Sequence, residues 1–264
     1  MKRLQLFEFE DFSWFPDFVR SPMTRLLQAM NKLMGMDEAI AILLNKVIED
    51  SGIKTIVDLG SGSGGVMPLV LNQLQKTVEG TQLILTDIHP SKEAIEKYKG
   101  ANGLSYHPEA VDANNADSMP SGIKTMINSF HHMPPGVAGG ILSAAQKSKE
   151  PILIFEMQEN KIPTIIWALF LPLGLLITFI MALVLTPFSR PITLRQIILT
   201  YLIPIIPLVF AWDGQASYAR MYSMDDINEL LSRLEEADYK WEKGVGQKAN
   251  GKKLGTYLIG LPNP

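Results

Sequence analysis

Val57-Asp58-Leu59-Gly60-Ser61-Gly62-Ser63-Gly64-Gly65 is the stretch that decides the fold of this chain. A β-branched run at residues 55–57 leads into it and predicts a buried strand, and the apolar residues 66–75 that follow predict a helix. A glycine-rich turn between a strand and a helix N-terminus brings backbone N–H groups close to a ligand, because glycine lets the chain approach closely. The stretch therefore predicts a cofactor-binding turn.

The spacing of the glycines leaves two cofactors open. Gly60, Gly62 and Gly64 form G-x-G-x-G, whereas Gly60, Gly62 and Gly65 form G-x-G-x-x-G, the dinucleotide fingerprint. Asp58 favours the first pattern, because a carboxylate here would repel a pyrophosphate but suits the ammonium and sulfonium of S-adenosylmethionine. The stretch resembles motif I of the class I S-adenosylmethionine-dependent methyltransferases. A structural glycine turn is the remaining alternative.

The rest of the chain alternates strands and helices, which predicts an α/β fold with a Rossmann-like, doubly wound sheet. The resemblance implies seven strands, the last one antiparallel. We predict N-terminal helices at 22–34 and 37–51, and a later helix over 224–236 whose N-cap is Ser223. The predicted strands are 54–59, 83–87, 104–107, 124–129, 151–157, 239–245 and 254–261.

Four regions are expected along the chain. They are an N-terminal helical cap at 1–52, a cofactor-binding core at 53–161, an apolar helical insertion that associates with a membrane at 162–212, and the C-terminal part of the core at 213–264.

Acidic residues follow the predicted strands, where ligands bind in open α/β sheets. The resemblance implies that Asp87 holds the ribose, that Asp112 holds the adenine amino group, and that Asn128 lines the methionine end. For Asp112 the alternative is a turn residue beside two asparagines. The predicted cofactor-binding residues are Asp58, Gly60, Ser61, Gly62, Gly64, Asp87, Ile88, Asp112, Ala113 and Asn128.

Two histidines, His131 and His132, close the fourth predicted strand. Histidine titrates near neutral pH and suits general base catalysis, so both are catalytic candidates together with Tyr218. Because adjacent strand residues point to opposite faces, we do not expect the pair to share a metal ion. Methyl transfer needs a base only when the acceptor carries a proton of high pKa.

The segment from Ile162 to Trp212 contains only two charged residues, Arg190 and Arg195. Three interpretations remain open. The segment could be a buried core or dimer interface, a transmembrane hairpin, or a shallow insertion into one leaflet with both arginines at the headgroups. Its place after the fifth strand, which in the family borders the acceptor site, suggests that a lipophilic substrate enters from a membrane.

Candidate acceptor-binding residues lie on both sides of this segment and at the fourth strand. Tyrosine hydroxyls and an arginine could orient a polar head group. Trp14 and neighbouring aromatic residues could complete the entrance, or could instead be a packing cap on the sheet. The predicted substrate-binding residues are Trp14, Phe130, Asp213, Arg220 and Tyr222.

Composition narrows the function classes. The formal net charge is −3 and no basic run occurs, so we expect no nucleic-acid partner. The absence of cysteine excludes disulfides and thiolate metal sites and fits a reducing compartment, and the N-terminus lacks the apolar region of a cleaved signal peptide.

The sequence thus predicts a membrane-associated methyltransferase with a cytoplasmic catalytic domain, which acts on a lipophilic or amphipathic small molecule and contacts membrane lipids. One alternative is a soluble methyltransferase whose insertion is a lid or a homodimer interface. Another is a non-catalytic, cofactor-binding membrane adaptor.

Overall fold

The computed structural model describes residues 1–12, 14–115, 118–235 and 237–263, and it divides into two compact units. The helical unit comprises Met1–Met34 and Glu159–Asp226, and the sheet unit comprises Gly35–Gln158 and Ile227–Pro264. These boundaries differ from the predicted ones after residues 52 and 212. The difference has two causes: the second N-terminal helix packs into the core of the sheet unit, and one helix runs unbroken across position 212.

The sheet unit contains, in the described residues, a seven-stranded sheet in the order β3-β2-β1-β4-β5-β7-β6. Strand β7 is antiparallel to β5 and β6, and the remaining pairs are parallel. This order confirms the predicted Rossmann-like fold of the class I methyltransferases. The strands are β1 (Thr55–Leu59), β2 (Gln82–Thr86), β3 (Leu104–Tyr106), β4 (Ile123–Ile127), β5 (Ile152–Glu156), β6 (Tyr239–Gln247) and β7 (Lys253–Pro262).

The central strands are short apolar runs because both of their faces are covered. All five residues of β5 are buried, and so are four of the five in β1 and in β4. The core also takes the apolar faces of α2 and α3. Four helices of the sheet unit are α2 (Met36–Ser51), α3 (Met67–Leu74), α4 (Lys92–Tyr98) and α5 (Pro135–Ser148).

The helical unit is built from α1 (Asp17–Met34), α6 (Thr164–Leu185), α7 (Leu194–Ile197) and α8 (Ile205–Arg220), with a π-helical stretch at Ile198–Leu202. Helix α1 begins before the predicted residue 22, so that prediction was wrong. The N–H groups of Val19 and Arg20 donate to the carbonyl of Pro16, which closes a first turn and leaves Pro22 inside the helix.

The last helix, α9 (Met224–Ser232), has the N-terminal cap that the sequence predicts. The N–H of Asp226 donates to Ser223 Oγ at 3.1 Å, and the N–H of Ser223 donates to Asp226 Oδ2 at 3.0 Å. This reciprocal pair satisfies two donors that the helix itself cannot satisfy. The helix ends at Ser232, so the predicted end at Glu236 was too late, and Glu236 itself lies outside the described residues.

One continuous stretch of the described residues, Thr164–Phe188, is long and apolar enough to cross a membrane. Its mean hydropathy is 2.7, and 17% of its apolar window is buried. The pair Leu194–Leu202 and Ile205–Arg220 passes the same test only when taken together, and it is bent by 74°. Length and composition therefore allow one crossing, or two if the bent pair counts as a span.

Candidate active site

The glycine loop, residues 60–66, lies between β1 and α3 at the carboxyl edge of the parallel strands. Gly64 has φ +104°, and a Cβ there would lie 2.7 Å from Tyr98 Oη and 3.1 Å from Leu85 Cδ1. At Gly65 a Cβ would meet nothing within 4 Å. The crowded third glycine is therefore Gly64, which agrees with the G-x-G-x-G spacing.

Backbone donors of this loop already have partners inside the sheet unit. The N–H of Ser61 donates to Thr86 O at 2.9 Å, and the N–H of Gly64 donates to Ser61 O at 2.8 Å. The N–H of Gly62 donates to Asp87 Oδ2 at 2.9 Å. A pyrophosphate site needs such N–H groups aimed at the ligand, so this arrangement does not favour a dinucleotide.

Asp58 is buried, and its carboxyl oxygens accept hydrogen bonds from inside the sheet unit. The register places Asp58 opposite Thr125 on β4, and Thr125 Oγ1 donates to Asp58 Oδ1 at 2.7 Å. Ser61 Oγ donates to Asp58 Oδ2 at 2.6 Å. Burial raises the pKa of Asp58 to about 7, although the two hydroxyl donors oppose this shift.

The hydroxyl of Ser61 therefore points into the protein. Besides donating to Asp58, its oxygen accepts the N–H of Thr86 at 3.2 Å. Since the N–H of Ser61 also donates to Thr86 O, neither the hydroxyl nor the N–H of Ser61 is available for the predicted cofactor contact.

The raised pKa of Asp58 predicts a pH-dependent stability. Since the folded state holds this proton more tightly than the unfolded state, the contribution is present at low pH and is lost as pH rises through about 7. We expect the unfolding free energy of the wild type, relative to Asp58→Asn, to fall between about pH 4 and 7, by at most about 1.4 kcal/mol per pH unit, and to level off above that. Urea titrations at several pH values measure this, with Asp50→Asn as an exposed control. Parallel curves for wild type and Asp58→Asn would contradict it.

Asp87 follows β2 and faces the same loop. Its Oδ1 accepts the N–H of His89 at 2.8 Å, and its Oδ2 accepts the N–H of Gly62. Each carboxylate oxygen has a second lone pair, so Asp87 can still accept the two hydroxyls of a ribose. Ile88, next in the chain, is exposed and suits packing against a flat ring.

Two tyrosines that the sequence analysis did not identify donate hydrogen bonds to carbonyl groups of the glycine loop. Tyr106 Oη donates to Gly62 O at 2.9 Å, and Tyr98 Oη donates to Ser63 O at 3.2 Å. Tyr106 ends β3, so its position at a strand end was the available signal.

Asp112 lies in a turn, as the alternative interpretation anticipated. Its Oδ1 accepts the N–H of Asn114 at 2.9 Å, and its side chain is exposed. The N–H of Val111 donates to Asp87 O at 3.0 Å, which ties this turn to the end of β2. Asp112 and the half-buried Ala113 thus lie beside Asp87, where an adenine contact stays a prediction.

Asn128 joins the ends of β4 and β5. It has φ +52°, a left-handed conformation that asparagine tolerates, and its Oδ1 accepts the N–H of Met157 at 2.8 Å. Its Nδ2 lies 3.5 Å from Met36 Sδ. Phe130, a predicted substrate contact, is 1% exposed, so its side chain is not open to a ligand in this structure.

The prediction that His131 and His132 point to opposite faces is wrong. Strand β4 ends at Ile127, and Phe130–His132 form a 3-10 turn. In such a turn successive side chains are not alternated, and the two imidazole rings lie 4.3 Å apart.

Glu156, which sequence reasoning missed, holds His131. The register pairs Ile127 with Phe155, so Glu156 at the end of β5 lies next to the 3-10 turn. Its Oε1 accepts the backbone N–H of His131 at 2.9 Å, and its Oε2 lies 2.9 Å from His131 Nδ1. In the neutral ring this places the proton on Nδ1 and the lone pair on Nε2.

The candidate residues of the helical unit have structural partners there. Arg220 is buried and forms ion pairs with Glu8 at 3.0 Å and with Asp11 at 2.6 Å, and its Nε donates to Leu6 O. Asp213 accepts the N–H of Phe9 at 2.8 Å. While these contacts persist, Arg220 and Asp213 hold the N-terminal segment and do not orient a substrate.

The remaining acceptor candidates differ in exposure. Tyr218 Oη accepts the N–H of Ile162 at 3.1 Å, and the buried ring of Tyr222 lies 4.4 Å below the guanidinium of Arg3. Trp14 is 64% exposed and stacks on Phe12 at 5.3 Å. Of these, Trp14 alone has most of its surface available to a ligand.

Known proteins are similar to this chain in structure and not in sequence. No family model and no curated protein matches the sequence. The chain is similar to the plantazolicin methyltransferase BamL in complex with triazolic desmethylPZN analog and SAH, at 12% identity and a TM-score of 0.49, over 93% of this chain and 98% of that one. It is also similar to the methyltransferase domain of bacterial CtHen1-C, at 10% identity and a TM-score of 0.48, over 86% and 98%.

A third similar structure is the CurJ carbon methyltransferase, at 14% identity and a TM-score of 0.47, over 86% of this chain and 54% of that one. TM-scores of 0.47 to 0.49 do not by themselves establish a shared fold. The strand order and the antiparallel β7 define the class I methyltransferase fold in this chain.

Proposed function

We propose that this chain is an S-adenosylmethionine-dependent methyltransferase that works at a membrane surface on a lipophilic or amphipathic small molecule. The observation that carries the cofactor assignment is the contact between Gly62 N–H and Asp87 Oδ2, above the buried Asp58. Two carboxyl groups, those of Asp87 and Asp58, thus lie around the glycine loop. The N–H of Gly62 in this loop already donates to Asp87. Such a site suits a ribose and a cationic group and disfavours a pyrophosphate.

The residues present fit this cofactor. S-adenosylmethionine supplies an electrophilic methyl group on a sulfonium. Asp87 can accept ribose hydroxyls, and Ile88 can pack on adenine. Asp58, whose pKa burial raises to about 7, supplies negative charge behind the loop only in its ionised form. Much of the rate of methyl transfer comes from positioning the two reactants and excluding water.

The cofactor assignment is tested by Asp87→Ala. Hydrogen bonds to a charged group contribute about 1.5–3 kcal/mol each, so losing two to the ribose should weaken S-adenosylmethionine binding by about 100-fold or more. Isothermal titration calorimetry measures the affinity, and Asp50→Ala provides an exposed control. Unchanged affinity in a folded Asp87→Ala protein would refute the assignment.

We propose that His131 is the general base when the acceptor carries a proton, and that Glu156 positions it. The two oxygens of Glu156 receive the backbone N–H and Nδ1–H of His131, which fixes both the ring and its tautomer. Nε2 then carries the lone pair that accepts the proton, and because His131 is 3% exposed the acceptor must displace covering residues to reach it.

Glu156→Gln tests this role, because an amide offers one acceptor oxygen where the carboxylate offers two. We expect the rate of methyl transfer to fall about 10- to 100-fold, within the range that general base catalysis contributes, while cofactor affinity is unchanged. Imidazole ¹⁵N spectra should show that His131 loses its fixed Nδ1–H tautomer. Glu93→Gln is the exposed control. An unchanged rate with an altered tautomer would restrict Glu156 to a structural role.

The membrane part of the proposal rests on α6. Apolar side chains along one stripe of this helix are exposed, with Ile165 at 85% and Leu169 at 73%. Monomeric soluble proteins rarely expose a continuous apolar patch of this kind. The chain passes directly from the end of β5 at Glu156 into this helix, which begins at Thr164.

The packing of α6 on α8 also suits a lipid environment. Gln215 Nε2 donates to Thr178 Oγ1 at 3.2 Å, and Thr178 Oγ1 donates to Gly174 O at 2.9 Å. A Cβ at Gly174 would lie 2.8 Å from Gln215 Oε1, so the two helices approach closely at a small residue. Small residues and interhelical hydrogen bonds are typical of helix pairs in membranes.

A further inference from the structure

The exposed apolar side chains of the helical unit lie mainly on one side of it, and this limits how deeply it can insert into a bilayer. The depth of insertion depends on the membrane attachment proposed above. A hairpin that spans the bilayer and an insertion into one leaflet both expose apolar side chains. They differ in where the turn between α6 and α7, residues 186–193, must lie.

Helix α1 covers the side of α6 and α8 opposite the exposed stripe. The buried residues of α1 pack into one cluster with residues of α6 and α8. Helix α1 therefore runs alongside the C-terminal half of α6. The members are Phe15, Val19, Met23, Leu26, Ala182, Leu185, Ile206 and Phe210. The end of α6 that would be distant in a spanning hairpin is thus in contact with α1.

The turn after α6 is fastened to α1 by a buried polar network. Arg25 Nη2 on α1 donates to Gln196 Oε1 at 2.9 Å, and Gln196 Nε2 donates to Ser189 Oγ at 2.7 Å. Gln196 is fully buried. The guanidinium of Arg195 lies 5.5 Å from the ring of Phe18 on α1.

Helix α1 carries charges that do not suit the bilayer interior. They are Asp17, Arg20, Arg25 and Lys32. If α6 crossed the bilayer, α1 would have to enter the hydrocarbon beside it. A charged residue inside a bilayer is strongly unfavourable, so these residues along α1 oppose a crossing.

The second half of the apolar segment is bent at the point where it is most exposed. The π-helical stretch ends at Leu202, which is 75% exposed, and α8 starts after Pro204 at an angle of 74° to the preceding helix. Proline removes a backbone donor and ends a helix there. An apolar apex at a sharp bend enters a leaflet without crossing it.

We propose that the helical unit inserts into one leaflet only, with α1 on the aqueous side. The turn that carries Arg190 and the start of α7 that carries Arg195 then lie at the headgroups of that same side. The exposed stripe of α6 and the bend near Leu202 face the acyl chains. The two arginines then meet anionic lipid headgroups, which attract basic residues at a membrane surface.

The chain has no cysteine, so single cysteines can be labelled without background. We would compare Arg190→Cys, in the turn, with Asp50→Cys, at an exposed position of the sheet unit, in the full chain. A membrane-impermeant maleimide is applied to right-side-out and to inside-out vesicles that carry each variant. We expect both cysteines to be labelled from the same side only.

Labelling of the two positions from opposite sides would overturn the one-leaflet inference and leave membrane attachment standing. Protection of Arg190→Cys from both sides until detergent is added would also overturn it, because the turn would then lie in hydrocarbon. Recovery of the wild-type chain entirely in the soluble fraction would instead refute the proposed membrane attachment itself.

Discussion

We expect that replacing Gly62 with leucine abolishes S-adenosylmethionine binding while the protein remains folded. A Cβ at Gly62 meets nothing within 4 Å, and the residue is exposed beside Asp87. A side chain there therefore occupies space that we assign to the cofactor and disturbs no packed neighbour. We expect at least a 100-fold loss of affinity in calorimetry, which is about 2.7 kcal/mol.

Gly65→Leu is the matched control for Gly62→Leu. Gly65 has φ +50° and Gly62 has φ +53°, and at both a Cβ would meet nothing within 4 Å. Both variants thus carry the same backbone strain, typically about 1 kcal/mol or more for a left-handed residue without glycine. We expect Gly65→Leu to keep its cofactor affinity. Equal losses in both variants would show that strain, and not occupation of the site, causes the effect.

Charging the exposed stripe of α6 releases the chain from membranes in our account. The variant is Ile165→Asp, Leu169→Asp and Leu173→Asp, at positions four apart on one helix face. Each aspartate opposes insertion by about 2.5–3.5 kcal/mol, in addition to the apolar burial that is lost. Together they should shift the partition between membrane and solution by well over 100-fold.

Flotation with liposomes that contain anionic lipid measures this partition. Ile42→Asp with Val245→Asp changes exposed apolar residues of the sheet unit and serves as the control, which we expect to float like the wild type. The triple variant should still bind S-adenosylmethionine, because the glycine loop lies in the sheet unit. A triple variant that floats like the wild type would contradict the membrane assignment of α6.

The strands and the glycine loop were predictable from the sequence because their signals are local. The β-branched run before Gly60 and the spacing to Gly64 both lie within ten residues. Asp58 was identified by its charge beside the loop, although its contacts to Ser61 and Thr125 depend on the register of β1 with β4.

The roles of His131 and Arg220 were less predictable because they depend on distant partners. Glu156 meets His131 only because β4 and β5 are neighbours in the sheet. Arg220 pairs with Glu8, 212 positions earlier in the chain, whereas the sequence predicted a substrate-binding role for it. No periodicity or spacing encodes such a pairing.

The central claim is tested most directly by methyl transfer itself. The purified full chain is incubated with membranes and S-adenosylmethionine labelled in its methyl group, and the lipid-extractable and aqueous products are counted. Our account predicts label in the lipid-extractable fraction with the wild type and none above background with Gly62→Leu. Label confined to aqueous products would favour a soluble substrate, and no transfer by a chain that binds the cofactor would contradict the proposed enzyme.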